Sequence, residues 1–202
     1  MVEIHGAKRL EGVTIAQVDE KRRPIEETRR YIPCDTLLLS VGLIPENELT
    51  RAAGIPIDPI TNGALVDENC QTEVPGIFAC GNVLQVHDLV DYVSEEAERA
   101  GAGAVRYVNG LASAQSAIRT VPGNGVRYVL PQVIRGTEED VSLFMRVTQP
   151  FKNVKFSVTD GDTVLLTAKR LKAAPGEMEK LTLKADKLKD VKGPITVSLE
   201  VL

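Results

Sequence analysis

The chain has 202 residues, 43% hydrophobic and 26% charged, with a net charge of −4, which is the balance of a globular protein with one or two domains. No apolar run reaches the length of a membrane span, and Met1-Val2-Glu3-Ile4-His5-Gly6 is too mixed for a signal peptide, so a cytoplasmic location is the default expectation. Residues 1–126 hold 11 Lys/Arg against 18 Asp/Glu and residues 127–202 hold 13 against 10, a small and aromatic-poor basic excess that argues against nucleic-acid binding.

Val13 to Val18 alternates like a half-buried strand, and the charged run Asp19 to Arg30 reads as a surface turn or hairpin. Tyr31-Ile32-Pro33 leads into Thr36 to Val41, a continuous apolar run of buried-strand length. Asn47 to Ala53 predicts a short helix with Leu49, Ala52 and Ala53 on one face and Gly54 as its stop. Pro-punctuated residues 55–63 end in the hairpin signal Asn62-Gly63, followed by a short strand from Ala64 to Asp67. A turn at Gln71 to Gly76 then opens a strand from Ile77 to Cys80.

From Asp88 to about Gly110 the pattern is helical, with Leu89, Val93, Ala97, Ala100, Ala104 and Tyr107 as the inward stripe and Asp88 or Asp91 as the cap. Gly101 and Gly103 each weaken such a helix by about 1 kcal/mol, so their use is close packing. The latter part of Asn109 to Gly125 reads as a linker. Beyond it the texture changes to short strands: 127–134, 141–148, 154–159, 163–171, 179–184 and 195–202, separated by Gly- and Pro-containing turns. This predicts an antiparallel β-sandwich of six or seven strands, immunoglobulin-like in outline. Lys169, Arg170 and Lys172 are either an anion patch or a solvated strand edge.

Cys34, Cys70 and Cys80 are odd in number and unevenly spaced, which excludes a disulfide framework, and with His5 and His87 they lack metal-site spacing. No metal is therefore expected, and Cys34 and Cys80 read as buried, inert thiols.

The segment Thr72-Glu73-Val74-Pro75-Gly76-Ile77-Phe78-Ala79-Cys80-Gly81-Asn82 is the most specific signal in the chain. An apolar run ending in Gly lets another molecule approach its backbone closely. It resembles the second flavin-binding motif of the pyridine nucleotide–disulfide oxidoreductase family and its thioredoxin-reductase-like branch, with Asn82 where that motif has Asp. Two more segments resemble the family in the same order: Ser40 to Asn47, the crossing between its nicotinamide and flavin domains, and Ala100-Gly101-Ala102-Gly103 in its last flavin-domain helix. The family's two Gly-x-Gly-x-x-Gly fingerprints and its redox Cys-x-x-Cys are absent from this sequence.

The resemblance implies the C-terminal part of a larger flavoprotein. Residues 1–46 would end a nicotinamide-binding domain, 47–122 would be the C-terminal part of an FAD-binding domain, and 126–202 the β-sandwich. The implied fold class is α/β plus all-β, a partial Rossmann-like fragment followed by the sandwich. FAD is the implied cofactor and NAD(P)H the implied co-substrate of the intact protein. Carried across, Gly81 and Asn82 face the ribityl chain and pyrophosphate, while Ser94 and Glu95 stand where helix amides meet the flavin pyrimidine. Gly42 and Pro45 take the structural role of turning the chain between domains. His87 and Asp88 lie just before the helix, either near the ring or as plain surface residues.

No residue is an evident acid, base or redox thiol, so no catalytic residue is assigned and the isolated chain is expected to be inactive. The implied partner is the fingerprint region or a separate subunit that supplies it. A homodimer is another way to cover the apolar sheet edges that a fragment exposes. The alternative function is a non-catalytic scaffold whose sandwich docks a partner.

Overall fold

A computed structural model describes residues 1–40, 42–111 and 117–202. The chain forms two compact units, Met1–Gly42 and Leu43–Leu202.

The first unit is a three-stranded antiparallel sheet of β1 (Glu3–His5), β2 (Gly12–Ile15) and β3 (Arg30–Pro33), in that order. Gly12, Val13 and Thr14 in β2 are buried, and the His5 imidazole meets the Thr14 hydroxyl at 2.7 Å. Tyr31 lies over Gly12, where an added Cβ would sit 2.3 Å from the phenol oxygen. The expected buried strand over Thr36 to Val41 is corrected. Thr36 to Ser40 has no strand pairing, Leu38 is 91% exposed, and Val41 lies outside the described residues. An apolar run becomes a buried strand only where neighbouring strands pair with it, and none does here.

The second unit begins with α1 (Glu48–Ala52), which buries none of its residues. The face that carries Leu49, Ala52 and Ala53 is open to solvent, with Leu49 87% exposed. Residues 55–80 are held by isolated bridges, Ile57 to Ala64, Val66 to Thr72 and Gln71 to Phe78, in place of the predicted short strands at 64–67 and 77–80. Asn62 takes the left-handed conformation its turn requires, with φ 58°.

Helix α2 spans Val90–Val108. Its buried residues are Glu96, Ala100 and Gly103, so the inner face is rotated from the predicted stripe, and Leu89, Ala97 and Tyr107 are exposed. Gly103 explains the rotation: an added Cβ would lie 2.6 Å from the Asn69 carbonyl oxygen, so the helix approaches that backbone closely only through glycine. Gly101 faces open space. Gly101→Ala is expected to stabilise the chain by up to about 1 kcal/mol, and Gly103→Ala to destabilise it by more than that, in urea unfolding of the two variants.

Residues 118–202 form eight strands in two sheets. The strands are β4 (Ile118–Pro122), β5 (Val126–Leu130), β6 (Val133–Ile134), β7 (Val141–Val147), β8 (Phe151–Asp160), β9 (Thr163–Ala173), β10 (Glu179–Leu183) and β11 (Ile195–Val201). One sheet runs β10-β7-β5 and the other β6-β4-β11-β8-β9. A short helix, α3 (Ala185–Leu188), precedes β11. Two expectations are corrected here. Part of the predicted linker is strand β4, while residues 112–116 lie outside the described residues. The sheets are mixed, because β11 pairs parallel with β4 and antiparallel with β8. The physical reason is that β4 enters from α2 beside the last strand, not by a hairpin from it. β9 ends its sheet, where Lys169 and Lys172 are exposed and Arg170 pairs with Glu179 on β10.

The three-stranded sheet is covered on both faces. Leu143, Met145 and Val147 of β7 share one buried cluster with Phe156, Val158, Ile195 and Val197 of the five-stranded sheet. Phe144 points the other way and joins Ile55, Ala64, Ala79, Leu84 and Tyr128 in a second cluster. Strand alternation assigns these faces, and Arg146 falls on the same side as Phe144. Residues on both sides of Gly123 therefore contribute to one core.

Among the described residues no helix is long and apolar enough to cross a membrane, and no group of three or more His, Cys, Asp or Glu is placed to hold a metal.

Candidate functional site

Gly81 starts a single 3-10 turn, Gly81–Val83, with φ 76°, a conformation that favours glycine. The extended Cys80 precedes it and α2 follows after six residues, 84–89. The turn is buried from beneath by Glu96, one helical turn past Tyr92 on the inner face of α2. The Glu96 carboxylate accepts the Gly81 amide at 2.6 Å, the Gln85 side-chain amide at 3.1 Å and His87 Nε2 at 3.0 Å. The Glu96 and His87 side chains are 3% and 1% exposed. His87 is thus no surface histidine, and Glu96 was missed by the sequence pattern. Its signal is a charged residue at the centre of a helix face that also carries Ala100 and Gly103.

Tyr128 Oη donates to Gln85 Oε1 at 3.2 Å, extending the chain of hydrogen bonds into β5. Burial pushes the Tyr128 hydroxyl pKa up. Arg146 of β7 donates to the Val86 carbonyl at 2.9 Å and pairs with Asp88. Asp88 also accepts the Met178 amide at 2.5 Å, so it anchors the loop instead of capping α2. The residue at the helix start is Leu89, and no side chain caps it.

The crossing segment meets this loop. The buried Asn47 donates to the carbonyls of Asn62 and Val83 at 2.7 and 2.8 Å. Leu43, Ile44 and Pro45 line a cavity of about 310 Å³ together with Gln85, Tyr128 and Arg146. Within the Leu43–Leu202 unit, residues 43–47 and the Gly81 turn therefore lie side by side.

The four sequence-predicted cofactor residues divide into two kinds. Asn82 and Ser94 are exposed, and Asn82 Oδ1 accepts the His87 amide at 3.1 Å, leaving its amide group outward. Gly81 is turned inward: its N–H goes to Glu96 and its carbonyl accepts the Leu84 amide at 2.9 Å. An added Cβ at Gly81 would meet only Val93, at 3.6 Å, so its role is conformational. Glu95 is ion-paired to Lys180 of β10 and faces that strand. This arrangement fits a flavin: an uncapped helix start offers N–H groups to an electron-rich ring edge, Asn82 offers an outward amide, and the Glu95 carboxylate is drawn away.

The thiols are free. Burial pushes Cys70 up to about 12 and raises Cys80, whose thiol also faces the Glu96 charge, so neither is poised for redox chemistry.

Asp67 sits in the loop facing α2. Burial, then the neighbouring Glu68 charge, pushes its carboxyl up to about 6, against the amides of Gln71 and Asn69 and the charge of Arg135. The folded state holds this proton more tightly than the unfolded chain. The stability that this group contributes is fullest below about pH 4 and is lost as pH rises through about 6. Asp67→Asn keeps the acceptor for the Asn69 and Gln71 amides. The variant is expected to melt higher than wild type at pH 7 by a few degrees and to match it near pH 4, in paired thermal scans.

The family model described as pyridine nucleotide-disulphide oxidoreductase matches residues 2–119. The chain belongs to this family. Among curated relatives, a probable ferredoxin reductase of Castellaniella defragrans is 34% identical over 85 residues, covering 40% of this chain and 20% of that protein. The biphenyl dioxygenase system ferredoxin–NAD(+) reductase component of Paraburkholderia xenovorans is 44% identical over 54 residues, 27% of this chain and 12% of that protein. The mitochondrial dihydrolipoyl dehydrogenase of Caenorhabditis elegans is 38% identical over 85 residues, 42% of this chain and 14% of that protein. The matched stretch is thus a fifth or less of each of these relatives. No solved structure matches the chain significantly. Residues 120–202 lie beyond the family match.

Proposed function

We propose that this chain is the C-terminal part of an FAD- and NAD(P)H-dependent oxidoreductase, which passes hydride or electrons between a nicotinamide and an acceptor. The observation that carries the reading is the left-handed Gly81 turn, followed by the outward Asn82 and the uncapped start of α2, in a chain of this family. Relatives named as a probable ferredoxin reductase and as a dihydrolipoyl dehydrogenase support an oxidoreductase reading without favouring one acceptor.

Bound flavin supplies the redox chemistry. The residues of this chain orient it. Asn82 would take a ribityl hydroxyl with its amide, without adding charge near the diphosphate. Ser94 and the first turn of α2 would stand at the pyrimidine edge, where the helix dipole favours negative charge. Glu95 is held off by Lys180. Gly81 gives the turn its shape, and Glu96 fixes it from below.

Residues 1–46 complete a nicotinamide-binding domain in this reading, and 47–122 complete an FAD-binding domain. The two sheets that share one buried cluster support a β-sandwich, immunoglobulin-like in outline, that takes in β4 as well as residues 126–202. Exposed Leu49, Val90, Val105 and Val108 offer apolar surface to the remaining flavin-domain polypeptide.

The chain on its own lacks the glycine-rich pyrophosphate cradle. Fluorescence titration of FAD into the purified 202-residue chain is therefore expected to show binding weaker than micromolar. Micromolar or tighter binding would contradict the claim that other polypeptide completes the pocket.

A further inference from the structure

The loop from Gly81 to Leu89 is gripped by residues far from it in sequence, and three of them, Tyr128, Arg146 and Met178, lie beyond the family match. Tyr128 on β5 holds Gln85, which in turn donates to Glu96. Arg146 on β7 holds both the Val86 carbonyl and the Asp88 carboxylate, and its other guanidinium nitrogen donates to the Pro175 carbonyl at 3.1 Å. The Met178 amide in the β9–β10 connection closes on Asp88 from the opposite end. Tyr128 is 7% exposed and Gln85 1%, so these polar groups have exchanged water for one another.

The geometry points to Tyr128 and Arg146 as positioning residues: the three-stranded sheet sets the shape of the Gly81–Leu89 loop from behind. A loop of nine residues with one short 3-10 turn has little structure of its own. Its polar groups gain partners only in this one arrangement, and a buried polar group left without a partner is costly. The arrangement also fixes His87. The Glu96 carboxylate is acceptor-only when ionised, so the network assigns the imidazole as the Nε2–H tautomer, and His87 Nδ1 is buried without a partner. The sheets beyond the family match are in this way part of the candidate site and not a detachable appendage. The inference goes beyond the flavin reading and stands without it, because every group named belongs to this chain.

The test uses the full 202-residue chain with no cofactor present. Tyr128→Phe removes one oxygen and keeps the ring in the core. Arg146→Met keeps the aliphatic stem and removes the charge, and Arg146→Lys keeps a cation for Asp88. Hydrogen–deuterium exchange is followed in peptides covering 81–89 and, as a fold control, in the buried strand β8. Long-range proton–nitrogen NMR spectra report the His87 tautomer, which a merely structural role would leave unchanged. In Tyr128→Phe and Arg146→Met, exchange at 81–89 is expected to rise about tenfold or more while β8 keeps its protection. The His87 ring is expected to lose its single-tautomer signature in both, with Arg146→Lys lying between Arg146→Met and wild type. Wild-type exchange at 81–89 in either variant would overturn the inference. So would equal acceleration in β8, which would show general loss of stability in place of a released loop.

Discussion

Glu96→Ala is expected to lower the stability of the Leu43–Leu202 unit by about 3–5 kcal/mol, one of the two largest losses from a single change in this chain. Three donors converge on that carboxylate: the Gly81 amide, the Gln85 amide and His87 Nε2. Gly81, Gln85 and the His87 ring are buried, so alanine leaves all three without water or protein to replace the lost acceptor. Glu96→Gln is the informative companion. It keeps one acceptor oxygen and sets an amide donor against the others, so its loss is expected to be smaller than that of alanine. Urea unfolding followed by far-ultraviolet circular dichroism checks both, with the midpoint falling and the slope unchanged. A midpoint for Glu96→Ala within experimental error of wild type would show that the turn is held by something else.

Phe156→Ala is expected to cost a similar amount, about 3–5 kcal/mol. Phe156 is fully buried near the middle of β8, opposite Leu199 on β11 and Ala168 on β9. It belongs to the cluster shared by the two sheets, so its removal leaves a cavity that neither sheet can close without breaking a ladder. Leu171→Ala on the neighbouring edge strand is the control. That side chain is 85% exposed, and its loss is expected to stay within about 0.5 kcal/mol. The contrast separates burial from strand membership, since both residues lie in regular strands of the same sheet.

The C-terminal strands were legible because alternation is a direct imprint of a pleated sheet with one face inward. Lys155-Phe156-Ser157-Val158 and Thr196-Val197-Ser198-Leu199 state their register outright. β4 was hidden because Arg119, Thr120 and Pro122 carry no such alternation, and its place depends on a parallel pairing with β11 near the end of the chain. The run at Thr36 to Ser40 misled for the opposite reason. Its composition speaks for burial, but burial needs neighbours, and the first unit offers only three short strands that pair among themselves.

The candidate site was legible at its turn and illegible beneath it. Gly and Pro punctuate the backbone at residues 75, 76 and 81, so the turn shows in the letters. The inner face of α2 does not, because it is chosen by a buried carboxylate and a close backbone approach. Apolar counting selects Leu89, Val93 and Ala97; polar satisfaction selects Glu96. Ser94 and Glu95 lie exposed on α2, and the ion pair that turns Glu95 to Lys180 depends on a strand more than eighty residues away, which no local pattern shows.

The central claim is that the Gly81 turn lies against a flavin held jointly with polypeptide outside this chain. The most direct measurement is the visible absorption spectrum of the purified intact gene product, before and after addition of NADH or NADPH. The account predicts oxidised flavin bands at about one flavin per chain, bleached by a reduced nicotinamide. A colourless intact protein, with no flavin released on denaturation, would contradict it.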